Sequence, residues 1–230
     1  MRKITLIQSL SFTVMFILAV AFGIGTTALL LGSAPLGDFR GVTLLIASVF
    51  FVYAFAIAIY RVFLKMMPLR SGPIACGSTS EFGYHVYLLF FLVLFQPLTR
   101  SFLIPVPLMR LIYLALGARL GNNSYSAGTI LDPPLTHVGN NCIIGHDAVL
   151  FSHAVEGEQL SLAEIRIGDN VTIGANAIIQ PGVVIHDGAI IAVNAVVTKG
   201  TCVGRGELWG GTPARRIRPR LGEKTTGEYP

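Results

Sequence analysis

The chain has 230 residues, of which 53% are hydrophobic and 13% charged, with a formal net charge of +5. Its mean hydropathy of +0.67 is too high for an ordinary soluble enzyme, and the excess lies before about Leu120. The modest positive charge has no basic helix or aromatic stacking platform behind it, so it points to anionic lipid headgroups and away from nucleic acid.

The first apolar stretch, Leu10 to Leu31, and the second, Gly41 to Tyr60, are each predicted as transmembrane helices. Twenty helical residues span about 30 Å, the thickness of the hydrocarbon core. Arg2 and Lys3 precede the first span, Arg61, Lys65 and Arg70 follow the second, and the loop between them holds Asp38 and Arg40. The positive-inside rule therefore puts both ends of the pair in the cytoplasm. A cleaved signal peptide ending near Ala19-Val20-Ala21 is the competing reading; the apolar run continues to Leu31, which suits a retained anchor better.

From Tyr84 to Gly117 the pattern is harder to place. Val86 to Leu94 is almost wholly apolar, but Pro97, Pro105 and Pro107 interrupt the residues beyond it, and Arg100 and Arg110 are spaced among them. A linker followed by an interfacial or re-entrant helical segment is expected over 71–119. Were it to cross the bilayer once, everything after it would change sides.

After Leu120 the character of the chain changes. Ile167, Ile173, Ile179, Ile185, Ile191, Val197 and Val203 stand six apart, and two places before each sits a small or β-branched residue: Ile165, Val171, Ala177, Val183, Ala189, Ala195 and Thr201. Six fits neither a helix nor an alternating strand. It is the period of a parallel β-helix, with three hexads to each triangular coil, aliphatic residues inside, and Gly, Asn and Asp at the corners. Several short sandwich strands, the alternative, would show alternation broken by turns instead. Val138, Ile144 and Leu150 carry the same frame, with Thr136, Cys142 and Ala148 as partners, but Leu150 to Ile167 spans seventeen residues and the phase is lost. The stretch from Phe151 to Glu164 must protrude, and such excursions lie at the surface, often at a binding site. The coils are thus expected over 120–218, after two transmembrane helices in 1–70, and a polar disordered tail over 219–230. The three cysteines form no CxxC pair and are expected as free thiols, with Cys142 in the core and Cys202 facing outward.

Five histidines are present. His146 and His186 fall at corners, His85 precedes the membrane-associated segment, and His137 precedes the inward Val138. His153 lies at the root of the protruding loop. With these repeats, the step Leu150-Phe151-Ser152-His153-Ala154-Val155-Glu156-Gly157 and the ending Trp209-Gly210-Gly211-Thr212-Pro213-Ala214-Arg215-Arg216, the chain resembles the hexapeptide-repeat acyltransferases, O-acetyltransferase branch, over about Leu120 to Arg218.

The resemblance implies that the coils form a left-handed parallel β-helix assembled as a homotrimer; with the N-terminal transmembrane α-helices read from the apolar stretches, the chain is expected to be membrane-anchored. It implies His153 as general base, with Glu156 or Asp132 as candidates to orient the ring. It implies acetyl-CoA as donor and no metal, with Gly174, Ala175 and Ala192 small enough to admit the pantetheine arm. Lys199, Arg205, Arg215 and Arg216 are then candidates for its phosphates, and Trp209 covers the adenine or caps the last coil. A membrane-anchored front half suggests an acceptor in or at the membrane: a lipid-linked saccharide, a glycolipid or another lipid. The enzyme is then a multi-pass protein of the inner or plasma membrane with a cytoplasmic catalytic domain. Two other classes compete: a non-catalytic trimeric scaffold for membrane partners, and a zinc lyase of the carbonic-anhydrase kind, for which the spacing of His137, His146 and His153 is a poor match.

Overall fold

The computed structural model describes residues 3–101 and 104–218; the tail expected to be disordered lies outside them. The chain divides into two compact units, Met1–Pro68 with Cys76–Leu94, and Leu69–Ala75 with Phe95–Pro230.

The first unit is helical. Helix α1 (Leu6–Leu31) opens with a capping box, the Thr5 hydroxyl accepting from the Gln8 amide while the Gln8 side chain accepts from the Thr5 amide. Its buried positions Ala19, Gly23 and Thr27 form a seam of small residues against α2 (Arg40–Met66). A Cβ on Gly23 would meet the Val52 amide nitrogen at 2.6 Å, so only glycine lets the two backbones approach this closely. Away from the seam the helices stay apolar and exposed, Leu29 at 84% for example.

Helix α3 (Thr79–Phe90), capped by Ser78, buries Tyr84, Tyr87 and Phe90. The His85 Nδ1 lies 3.1 Å from the Gln8 side-chain oxygen. The helix does not break before Pro97. It passes through a π-helical stretch, Phe91–Phe95, into α4 (Gln96–Thr99). Proline removes a helical N–H and crowds the carbonyl four residues earlier, and the wider π turn relieves that crowding. The run Thr79–Thr99 therefore reaches 21 residues at mean hydropathy 1.5. Among the described residues three helices, not the expected two, are long and apolar enough to cross a membrane. The sequence pattern shows only a proline-broken segment there.

The second unit is a prism of stacked coils. Three parallel sheets form its faces. One stacks Arg119–Leu120, Thr136–Val138, Ile165–Ile167, Val184–Ile185 and Cys202–Val203; the next stacks Tyr125–Ser126, Ile143–Ile144, Thr172–Ile173, Ile190–Ile191 and Leu208–Gly211; the third stacks Thr129–Ile130, Val149–Leu150, Ile178–Ile179 and Val196–Val197. Each of these strands is two to four residues long and finds its hydrogen-bond partners in the neighbouring coils. Inside, Val138, Ile167, Ile185 and Val203 lie in one ladder, Ile144, Ile173 and Ile191 in a second, and Leu150, Ile179 and Val197 in the third, all buried. The corners turn through left-handed backbone: Asn123, Asn141 and Asn170 at one edge, Asp147, Asn176 and Asn194 at another, with φ between 54° and 57°. Asn and Asp tolerate this region better than other non-glycine residues.

The ends of the prism are covered from within the same unit. Helix α5 (Val106–Leu116) buries Met109 and Tyr113 in the coil core. The Arg110 guanidinium donates to the carbonyls of Leu120, Gly121 and Ser124, and the Tyr113 hydroxyl donates to Gly128 O and accepts from the Ile130 amide. At the other end Leu208–Gly211 folds back on Ala214–Arg218 as an antiparallel pair about a cis Thr212–Pro213 peptide.

Gly174 shows how tightly the coils stack. A Cβ there would meet the Val193 amide nitrogen at 2.5 Å and the Ala192 carbonyl carbon at 2.7 Å, both backbone atoms of the next coil. Gly174→Ala is expected to cost about 1–3 kcal/mol through overpacking, read as a lower denaturant midpoint in chemical unfolding.

Candidate active site

Two departures from the six-residue step lie on one edge of the prism; a third, on another edge, takes four residues from Ser126 to Ile130 against six from Ile144 to Leu150. Regular coils recur every 18 positions, as in the Asp169 amide bound to Asp187 Oδ1. Across the protruding loop the recurrence is 29, as in the Asn140 amide bound to Asp169 Oδ1, so eleven extra residues enter there. They form an antiparallel hairpin, His153–Glu156 against Gln159–Leu162, turning at Gly157. Gly72–Ile74 adds a third strand beside Leu160–Leu162. One coil earlier, at the same edge, the Pro133–Leu135 3₁₀ turn widens the corner.

The two irregularities meet. Asp132, set at the start of the 3₁₀ turn and 1% exposed, points its Oδ2 at the root of the hairpin. That oxygen lies 2.7 Å from His153 Nδ1 and accepts from the Ser152 amide at 2.7 Å. The Asp132 main-chain oxygen accepts in turn from the Leu135 amide and the Thr136 hydroxyl, which hold the turn in place. The His153 side chain is 28% exposed, and the Phe151 ring lies 5.7 Å from its own. Burial disfavours the charged imidazolium, but the hydrogen bond and negative charge of Asp132 outweigh it and raise the pKa above its ordinary value. With Nδ1–H donated to a carboxylate, Nε2 carries the lone pair that accepts a proton.

The residues singled out in the sequence divide among the edges. His153, Asp132, Glu156 and Lys199 share the irregular edge. Glu156 does not turn to the imidazole; its carboxylate pairs with Lys199 Nζ at 2.9 Å, and Asp132 alone of the two candidates orients the ring. Gly174, Ala175 and Ala192 lie on a second edge, where the room saved by Gly174 is filled by the next coil. Arg205 lies on the third edge, ion-paired with Asp187. Arg216 pairs with Glu207 at 3.0 Å, and Glu207 also accepts from the Trp209 indole at 2.8 Å and from the Gly204 amide at 2.8 Å. Trp209 continues the ladder above Ile191 and packs against the core. Arg215 binds its neighbour's carbonyl, Ala214 O, at 3.1 Å. Glu207, which gathers the indole, the guanidinium and the backbone at this end, escapes a reading of the sequence because it falls at a position elsewhere filled by small residues such as Val171 and Ala189.

Of the remaining histidines, His137 lies beside Glu164, with 4.0 Å between Nδ1 and Oε2, and its pKa is lowered by burial and by Arg119. His146 lies on the second edge at 3.2 Å from the Asp147 carboxylate. Within the described residues of one chain, no three of His, Cys, Asp and Glu gather as a metal site.

The family described as bacterial transferase hexapeptide (six repeats) matches residues 164–199. No curated protein matches the chain. Among solved structures, a hexapeptide-repeat acetyltransferase from Vibrio cholerae is 27% identical over 44% of this chain and 62% of its own, with a TM-score of 0.41. This chain thus spans under two thirds of that protein's length. The Vibrio cholerae O1 biovar eltor acetyltransferase complexed with acetyl coenzyme A is 22% identical over 68% of this chain and 97% of its own, at a TM-score of 0.51. A maltose O-acetyltransferase from Clostridium difficile 630 is 20% identical over 69% and 97%, at 0.46. The likeness at 0.51 is one of fold, and with the repeat match it makes the second unit a hexapeptide-repeat left-handed β-helix.

The Asp132–His153 pairing generates a titration test. With Asp132→Asn the carboxylate charge is gone and burial acts alone. The His153 pKa is expected to fall from above 6.5 to below it, read from its ring-proton resonance assigned with His153→Gln.

Proposed function

We propose that the chain, built on the hexapeptide repeat of bacterial transferases, is a membrane-bound acetyltransferase that moves an acetyl group from acetyl-CoA to a hydroxyl of an acceptor at the membrane. One observation carries the reading: a half-buried imidazole oriented by a buried carboxylate, at the edge where the coils take in eleven extra residues. An alcohol titrates far above neutrality and attacks a thioester slowly. Neutral His153 takes the hydroxyl proton at Nε2 as the oxygen bonds to the thioester carbonyl carbon. The carbon–sulfur bond then breaks, and the imidazolium returns the proton to the thiolate, giving free CoA and the ester. Asp132 stabilises the imidazolium between the two steps. A backbone N–H of a neighbouring coil supplies the donor for the oxyanion. No covalent enzyme intermediate is formed.

The fold supports a trimeric arrangement. His153 and Lys199 lie on one edge of the prism, and Gly174, Ala175 and Ala192 on another. Two edges of one triangular prism face a common cleft only where the cleft lies between two copies. Ile143, Ile190 and Val193 are exposed apolar residues on the face and edge that such packing would cover. Ala175 and Ala192 leave room for the pantetheine arm, and Arg215, which makes no ion pair among the described residues, is the best placed of the four basic candidates for a phosphate. Lys199, Arg205 and Arg216 reach one only by leaving their carboxylates.

The exposed apolar flanks of α1 and α2 support anchorage by those two helices. Arg61, Lys65 and Arg70 precede the third apolar helix and Arg100, Arg110 and Arg119 follow it, so both of its ends are basic. The positive-inside rule then favours a helix that returns both ends to the cytoplasm, where the coils meet acetyl-CoA.

His153→Ala is expected to lower CoA release by about 10²–10⁴-fold with the fold retained; unchanged turnover would remove the assignment. In the wild type kcat/KM rises with pH as His153 loses its proton, with a midpoint above 6.5, and Asp132→Asn shifts that midpoint down. For topology, Cys76 and Cys202 are exposed and Cys142 is buried. A membrane-impermeant maleimide is expected to label Cys76 and Cys202 only once the cytoplasmic face is opened. Labelling of Cys202 from outside would mean that the third helix crosses.

A further inference from the structure

The second unit contains a cavity of about 630 Å³ beside the first three coils. It lies away from His153, on the edge of Gly174 and Ala175, and none of the residues proposed for acetyl-CoA lines it. One wall is the coil surface, Ser126–Thr129 with His146, Asp147 and Asn176, and the other is the segment that caps the prism, Thr99–Ser101 and Ile104–Val106 with Met109. The volume is that of a small-molecule site.

The lining is divided by chemistry. Ile104, Pro105, Val106, Met109 and Val149 make an apolar side, while Arg100 offers a guanidinium; the hydroxyls of Thr99, Ser101 and Ser126 donate to the carbonyls of Gln96, Leu98 and Gly128. The one lining carboxylate, Asp147, already lies 3.2 Å from His146. Arg100 makes no ion pair among the described residues, and it follows directly on the apolar run Thr79–Thr99. The adjoining helix α5 leaves Leu108 and Leu111 exposed at 50% and 57%, so the apolar side of the cavity continues onto an apolar helix surface.

We propose that this cavity binds a phosphate-bearing amphiphile, its head on Arg100 and its chain along Ile104, Val106 and Met109. A guanidinium fork matches the oxygens of a phosphate. The apolar side has no use for a free phosphate, so the chain is part of the ligand. The site stands whether or not His153 is catalytic, because binding is read without turnover.

The test is calorimetric titration of the full-length protein in maltoside micelles with decyl phosphate, and separately with inorganic phosphate. Wild type is expected to bind decyl phosphate at least about tenfold more tightly than Arg100→Gln, with Arg100→Lys in between, as loss of a charge-assisted contact requires. Val106→Asn weakens decyl phosphate and leaves inorganic phosphate unchanged. Equal affinity in wild type and Arg100→Gln overturns the proposal. So does equal affinity for the two phosphates, which would mean a site for the free ion. Arg100 and Val106 are both exposed, and matching thermal melts of the variants exclude misfolding as the cause of a loss.

Discussion

Strands of two residues cannot stand alone. Each one in this prism satisfies its backbone only through the coils above and below, so every coil must return to the same place after the same number of residues. That demand fixes the rest. It sets one inward aliphatic residue on each face, and it forces left-handed corners, filled by Asn123, Asn141 and Asn170 at one edge. It also keeps Gly174 bare, because the backbone of the next coil occupies the space of a side chain. A lattice this strict has little freedom for chemistry, and the residues with chemical potential collect where it is relaxed.

The edge that carries His153 illustrates this. The eleven extra residues form their own hairpin and add to no ladder, so their side chains are released from the inward–outward rule. The widened corner at Pro133–Leu135, one coil below, does the same for Asp132. Neither departure alone makes a proton acceptor. The hairpin brings the imidazole, the turn brings the carboxylate, and stacking sets them 2.7 Å apart. The Ser152 amide, bound to the same oxygen, fixes the chain immediately before the histidine.

The period of six makes the coils legible from residue order alone, because it is imposed locally and repeated without gaps from Ile167 to Val203. His153 is legible because the period breaks beside it. Its orienting partner is not: Asp132 and Glu156 are both acidic and near, and only the stacking of one corner on another separates them. Glu156 is drawn off by Lys199, a contact 43 residues apart that no spacing announces. The run to Thr99 is hidden for a different reason. Pro97 marks a helix break in any pattern, and the π-helical stretch that accommodates it has no signature in composition.

The plug of Arg110 and Tyr113 has a consequence for the molecule in a crowd. A solenoid whose last rung shows bare carbonyls and amides is a template for the next chain, and identical prisms would stack into fibres. Here a guanidinium and a phenol take such groups at the lower rim, and at the upper one the strand after Thr212–Pro213 pairs back on Leu208–Gly211. Growth along the axis is opposed at both ends, which favours sideways packing instead.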